Sequence, residues 1–145
     1  MDRYLRELTR VFLFHHVERY DITGRRVLRT NGRFYSSDLG LRRVMCPDDG
    51  DIYRALRNAV FLELLNRRYT VVHGTHRCGD VDFVAFRTGS TEFYQVCPAT
   101  DEGRIGVLSA IRSDRRKTVL TLDIFGTGDR DGVGVVNVID WLLAD

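Results

Sequence analysis

Glu63, Asp82, Gln95 and Cys97 are polar residues set among apolar neighbours at spacings that bury them, and a buried polar group needs a partner. Glu63 follows Val60 by three residues, Ala59 by four and Leu56 by seven, so it shares the apolar face of a helix. An unpaired carboxylate is costly there. Arg67, one turn on, is the ordinary compensator, an i,i+4 ion pair worth roughly a few tenths of a kcal/mol. Asp82 and Gln95 belong to "VDFVAF" and "EFYQV", two strand-like runs separated by a short polar stretch. A two-residue turn at Thr88 and Gly89 sets Asp82 opposite Gln95, and a loop longer by two sets it opposite Cys97. Either register keeps all three on one face, because side chains alternate with period two.

Two other groups have residue types suited to chemistry. His73, His76 and Cys78, with Cys97 as a fourth ligand, offer imidazole and thiol to zinc. Their H-x2-H-x-C spacing matches no common finger or ribbon, and histidines near a turn glycine are the plainer reading. Arg25, Arg26, Arg29 and Arg33 surround a predicted hairpin, where they can contact phosphates or simply face solvent. No aromatic residues interleave with them in sequence to favour stacking on single-stranded bases. Of the 22 basic residues, all but Lys117 are arginine, so any chemistry that needs an ammonium has only Lys117 to draw on.

The elements that must position these residues can be read from apolar periodicity. Tyr4 to Val11 predicts an amphipathic helix. "FLFHHVERYD" and "RVLRTNGRFYSSD" predict a β-hairpin about "ITGRR", with Gly24 supplying positive φ in the turn. "SDLGLRRVM" predicts a short helix, and "CPDDGD" is a strong breaker that ends an N-terminal unit near Asp49. Asp51 then caps a helix running to about Arg67. Strands follow at "YTVVH", "VDFVAF", "EFYQV", "TVLTLD" and "VGVVNVI", with helices near Gly103 to Arg112 and at "DWLLAD". The order from Asp51 is α-β-β-β-α-β-β-α, a mixed sheet with helices on its faces.

With 145 residues, 43% apolar, the chain can bury a core without covalent staples. Three cysteines at irregular spacing are therefore expected as reduced thiols. No apolar run is long enough for a membrane span and no secretory signal is visible, so the expected location is cytoplasmic. There is no GxxxxGK[ST] phosphate loop, which excludes ATP binding of that kind by these residues.

A helix glutamate, an aspartate on the second strand, and an acidic or amide residue two before a lysine together resemble the PD-(D/E)xK nuclease signature. Glu63, Asp82, Gln95 and Cys97 occupy those positions. Through "DLGLR", "NAVFLELLNRRY", "VDFVAF", "YQVCP", "TVLTLD" and "VVNVIDWLL", nearly the whole chain is similar to the C-terminal domain of unknown function of prokaryotic AAA-type ATP-binding proteins. The resemblance implies an α/β, restriction-endonuclease-like domain over 46–145. It also implies that 1–45 is the end of a winged helix with its hairpin wing, that Met1 begins a fragment, and that ATP binds only in a preceding ATPase domain.

In the nuclease signature Glu63, Asp82 and Gln95 would hold Mg²⁺, which activates water, and the residue at position 97 would stabilise developing charge. Gln95 offers a neutral oxygen and weakens the site. Cys97 is the greater departure, since a thiol supplies no cation, and Lys117 would have to reach in from the neighbouring strand to replace it. The expectation is a degenerate nuclease-like domain serving DNA association or docking onto its ATPase domain. An active Mg²⁺-dependent endonuclease and a pure protein-interaction module are the alternatives.

Overall fold

Asp51 begins the helix that organises the molecule. Its carboxylate accepts hydrogen bonds from the Tyr53 and Arg54 amides, satisfying two donors that a helix start leaves open, and α3 (Ile52–Asn66) runs on from there. The computed structural model describes residues 2–45 and 51–144, so the predicted breaker and the boundary near Asp49 lie outside the described residues.

Before α3 come α1 (Asp2–Arg10), β1 (Phe14–Asp21), β2 (Arg26–Ser36) and α2 (Leu39–Met45). After it come β3 (Thr70–His76), β4 (Gly79–Arg87), β5 (Ser90–Cys97), α4 (Glu102–Ser109), β6 (Lys117–Thr121), β7 (Gly128–Arg130), β8 (Val133–Asn137) and α5 (Val138–Leu143). The strands form one mixed sheet in the order β2-β1-β3-β4-β5-β6-β8-β7. β3, β4 and β5 make an antiparallel meander, and α4 carries the chain across to β6, parallel to β5. β1 pairs parallel with β3 through Arg19 to Asp21, so the N-terminal hairpin extends the same sheet.

Helices cover both faces. On one, Leu56, Val60, Phe61 and Leu64 of α3 and Trp141 of α5 pack on Phe83, Tyr94, Val96 and Leu120. On the other, Ile105 and Leu108 of α4 pack on Val84, Phe93, Val119 and Val135. The expected α/β architecture of a mixed sheet flanked by helices is present.

Three local expectations are corrected. Gly24 is not the residue with positive φ in the first hairpin; that conformation falls on Arg25 (φ 50°). Gly24 is needed for close approach, since a Cβ there would lie 2.5 Å from the Asp21 carboxylate, which accepts from the Thr23 and Gly24 amides. Val138 and Ile139 are helical, not extended, because the Asn137 side chain caps α5 through the Ile139 and Asp140 amides. β7, three residues long, is too short to show an alternating pattern, and it pairs with β8 at the sheet edge.

Candidate functional site: an arginine-clamped carboxylate

The turn at Thr88 and Gly89 is the two-residue one, with Arg87 opposite Ser90 and the ladder continuing to Phe83 opposite Tyr94. The next pair is Asp82 and Gln95, and here side chains replace the backbone ladder. The Asp82 amide donates to Gln95 Oε1 (3.2 Å), Gln95 Nε2 donates to the Asp80 carbonyl (2.7 Å), and the Val96 amide donates to Asp82 Oδ2 (3.0 Å). On the other side of β4, the register with β3 shifts between Val72 and Gly74, so that His73 faces both Asp82 and Phe83. Such a bulge re-aims a side chain that strict alternation would hold in one layer.

The bulge turns the Asp82 carboxylate, only 3% exposed, into a ring of cations. Arg57 Nη1 of α3 lies 3.3 Å from Oδ1, Arg33 Nη1 of β2 lies 3.5 Å from Oδ1, and Arg104 Nη1 of α4 lies 3.1 Å from Oδ2. The Tyr53 hydroxyl donates to the same carboxylate, at 3.0 and 3.2 Å from its two oxygens. The Tyr53 ring stands between two guanidinium groups, with Arg57 4.2 Å and Arg104 4.6 Å from its centroid. Burial raises the Tyr53 pKa and the Asp82 charge raises it further, keeping the phenol protonated as a donor. Burial works against the Arg57 cation, but Tyr53, Asp82 and Tyr35 outweigh it and hold its pKa above the ordinary value.

Gln95 is as fully engaged as Asp82, because its oxygen also lies 3.3 Å from Arg104 Nη1. Glu63 is not brought to this site. It accepts from Arg67 Nε at 2.7 Å, the helix pair foreseen as its plain compensator. Arg67 in turn donates to the Trp141 and Ala144 carbonyls, at 2.6 and 2.8 Å, and so fastens α5 to α3. Glu63 lies six residues beyond Arg57, about 9 Å further along the helix axis.

Cys97 is buried among Ile105, Val119 and Val133, and burial raises its thiol pKa despite the nearby Arg104 charge. Lys117 does not replace it. In the β5–β6 register Lys117 faces Phe93, whereas Cys97 faces Thr121, and the Lys117 ammonium donates to the Ile111 carbonyl at 2.6 Å. The histidines and cysteines also stay apart: His73 Nδ1 lies 3.3 Å from the Asp82 carbonyl, and His76 Nδ1 accepts from the Cys78 amide. Among the described residues no three His, Cys, Asp or Glu side chains gather as a metal-holding group.

His73 carries a pH prediction. Burial lowers its pKa, with Arg33 adding to the effect and Asp80 opposing it, so the folded protein holds the ring neutral below the usual 6.5. The unfolded chain then binds the extra proton first, and stability is complete above about pH 6.5 and declines as the pH falls toward the folded value. Urea unfolding at pH 7.5 and 5.5 is expected to show a loss of up to about 1.4 kcal/mol at the lower pH. The difference should shrink in His73→Asn, and equal stability of the wild type at the two pH values would contradict this assignment.

No family model matches the chain, and no solved structure does. The chain is similar to an uncharacterized protein of Haemophilus influenzae, with 34% identity over 146 residues. That alignment takes in 99% of this chain but 36% of the relative, so the chain spans about a third of the length of the protein it matches.

The hairpin arginines divide into two groups. Arg33 does not sit at a protruding tip but joins the Asp82 ring. Arg25, Arg26 and Arg29 are exposed, with Arg26 3.8 Å from Asp21. Arg25 also lines two adjoining clefts, of about 440 and 310 Å³, between the hairpin turn and the end of α4. Arg77 and Arg112 line the first, and Arg112 and Arg115 the second, with Tyr20, Phe86 and Phe93 along its floor. Among the described residues no carboxylate lines either cleft. Phe86 and Phe93 are thus brought to the hairpin arginines in space by β4 and β5, a juxtaposition no local pattern could have announced.

Proposed function

We propose that this chain is a nuclease-like domain of restriction-endonuclease type whose metal chemistry is lost, and that it serves an ATP-dependent protein by associating with DNA. The observation that carries this reading is the Asp82 carboxylate, held by Tyr53, the Val96 amide and three arginines. A carboxylate bound to three guanidinium groups has no face left for Mg²⁺, and the cations would repel one. The helix, three-strand meander, crossover helix and parallel strand agree with the resemblance in order and direction. The greater length of the Haemophilus relative is in keeping with a module of a longer protein, and the clefts lined by Arg25, Arg77, Arg112 and Arg115 favour a polyanion.

The test is cleavage of plasmid and single-stranded DNA in Mg²⁺ or Mn²⁺, comparing wild type with Asp82→Asn checked for folding by circular dichroism. No cleavage above the variant's level is expected. Metal-dependent cleavage by the wild type, abolished in a folded Asp82→Asn, would establish the active endonuclease instead.

A further inference from the structure

α4 covers part of one sheet face, packing on β4, β5, β6 and β8. Beside it, Tyr20 of β1 and Phe86 of β4 lie half-buried on that face and line the cleft of about 310 Å³, with the buried Phe93 at its floor. The Tyr20 and Phe86 rings meet edge to face, with 5.5 Å between centroids and 75° between planes. That contact uses only one of the pair's four ring faces. Partly exposed rings inside a cleft are a stacking surface for another flat ring.

The walls say what that ring would carry. Arg25 and Arg112 line both this cleft and the adjoining one of about 440 Å³, Arg115 only the former and Arg77 only the latter. All four side chains are exposed, and among the described residues none forms an ion pair. The positive charge thus runs on from one cleft into the next, which suits a chain of phosphates better than a lone anion. A nucleobase fits the aromatic floor whatever its identity, because every base has a flat π-face to stack, and its flanking phosphates then fall to the arginines. A duplex does not offer this. Its bases are stacked and paired, and one has to be taken out of the helix before it can enter a cleft.

We propose that the adjoining clefts hold single-stranded DNA, with a base stacked on Tyr20 and Phe86 and the neighbouring phosphates on Arg25, Arg112 and Arg115. The inference rests on the DNA-association reading and sharpens it from a polyanion to an unpaired strand. Base stacking is separable from phosphate contact, so the strand preference can fail while DNA association stands.

The experiment measures binding by fluorescence anisotropy of a single-stranded oligonucleotide, an abasic strand of the same length and charge, and the duplex of the same sequence. The wild type is expected to bind the intact strand about tenfold or more tightly than the abasic one, the usual worth of a stacked base. Phe86→Leu, checked for folding by circular dichroism, is expected to lose that preference while keeping the wild-type salt dependence and duplex affinity, since its phosphate contacts remain. The comparison of the two strands on the wild type needs no variant and decides the matter even if Phe86→Leu does not fold. Equal, salt-dependent binding of intact and abasic strands, or a folded Phe86→Leu that keeps the preference, would overturn the base site and leave DNA association through phosphates in place. Failure of every DNA to bind at low salt would overturn both.

Discussion

Asp82→Ala is expected to destabilise the protein by about 3–5 kcal/mol, the usual cost of removing one partner from a buried ion pair. The substitution takes away the one carboxylate that Arg33, Arg57 and Arg104 share, leaving three like charges around a cavity. It also strands the Tyr53 hydroxyl and the Val96 amide. For a chain of this size such a loss lowers Tm on the order of 10 °C. The sign separates the two readings of the site. A metal-binding carboxylate crowded by other acids is under repulsion without its ion, and replacing it leaves the fold unchanged or firmer. A carboxylate that neutralises three arginines behaves oppositely. Urea unfolding, with the m-value checked for two-state behaviour, measures the difference. Asp82→Asn should fall between, since it keeps an acceptor for Tyr53 and Val96 but not the charge. Adding Arg57→Met to Asp82→Ala should recover part of the loss, because it removes one stranded cation. An Asp82→Ala protein as stable as the wild type would mean that the ring of arginines does not depend on Asp82.

The contrast between what could and could not be read beforehand follows from distance along the chain. Asp51 as a cap, α3 behind it, and the Thr88–Gly89 turn that sets Asp82 opposite Gln95 all depend on residues within one turn or one hairpin. Local rules reach that far. The Glu63–Arg67 pair is likewise an i,i+4 contact, and the ordinary reading of it was the one the structure bears out. The partners of Asp82 come from positions 33, 57 and 104, on β2, α3 and α4, and nothing near residue 82 points to them. The bulge opposite His73 was equally silent, because one extra residue in β4 leaves its apolar pattern intact. Grouping Arg33 with the hairpin arginines, as a phosphate contact or a solvated side chain, missed that β2 lies across the α3 face, where Tyr35 stacks on Phe61 at 4.5 Å between ring centroids. Side chains of that part of β2 thus share a layer with the start of α3.

If Arg25, Arg77, Arg112 and Arg115 each neutralise one phosphate, binding of a short DNA duplex should weaken about a hundredfold as salt rises from about 50 to 200 mM. The estimate follows from counterion release: about 0.9 in log–log slope per phosphate, so four contacts give a slope near −3.6 over a fourfold change in salt. The four residues converge from the β1–β2 turn, the β3–β4 turn and the segment after α4, and none forms an ion pair among the described residues. Their charge is therefore available to a ligand at little cost in broken internal contacts. Replacing all four with alanine should flatten the log–log slope by about 3.6 and reduce low-salt affinity about a hundredfold or more, while leaving stability within roughly 0.5 kcal/mol of wild type for each exposed site. Replacing Arg29 alone, exposed on the edge strand away from the clefts, should change the slope by at most about one. Fluorescence anisotropy across a salt series measures all of this. A wild-type slope near zero, or a quadruple variant that binds like the wild type, would move the domain's role from DNA to docking on a protein.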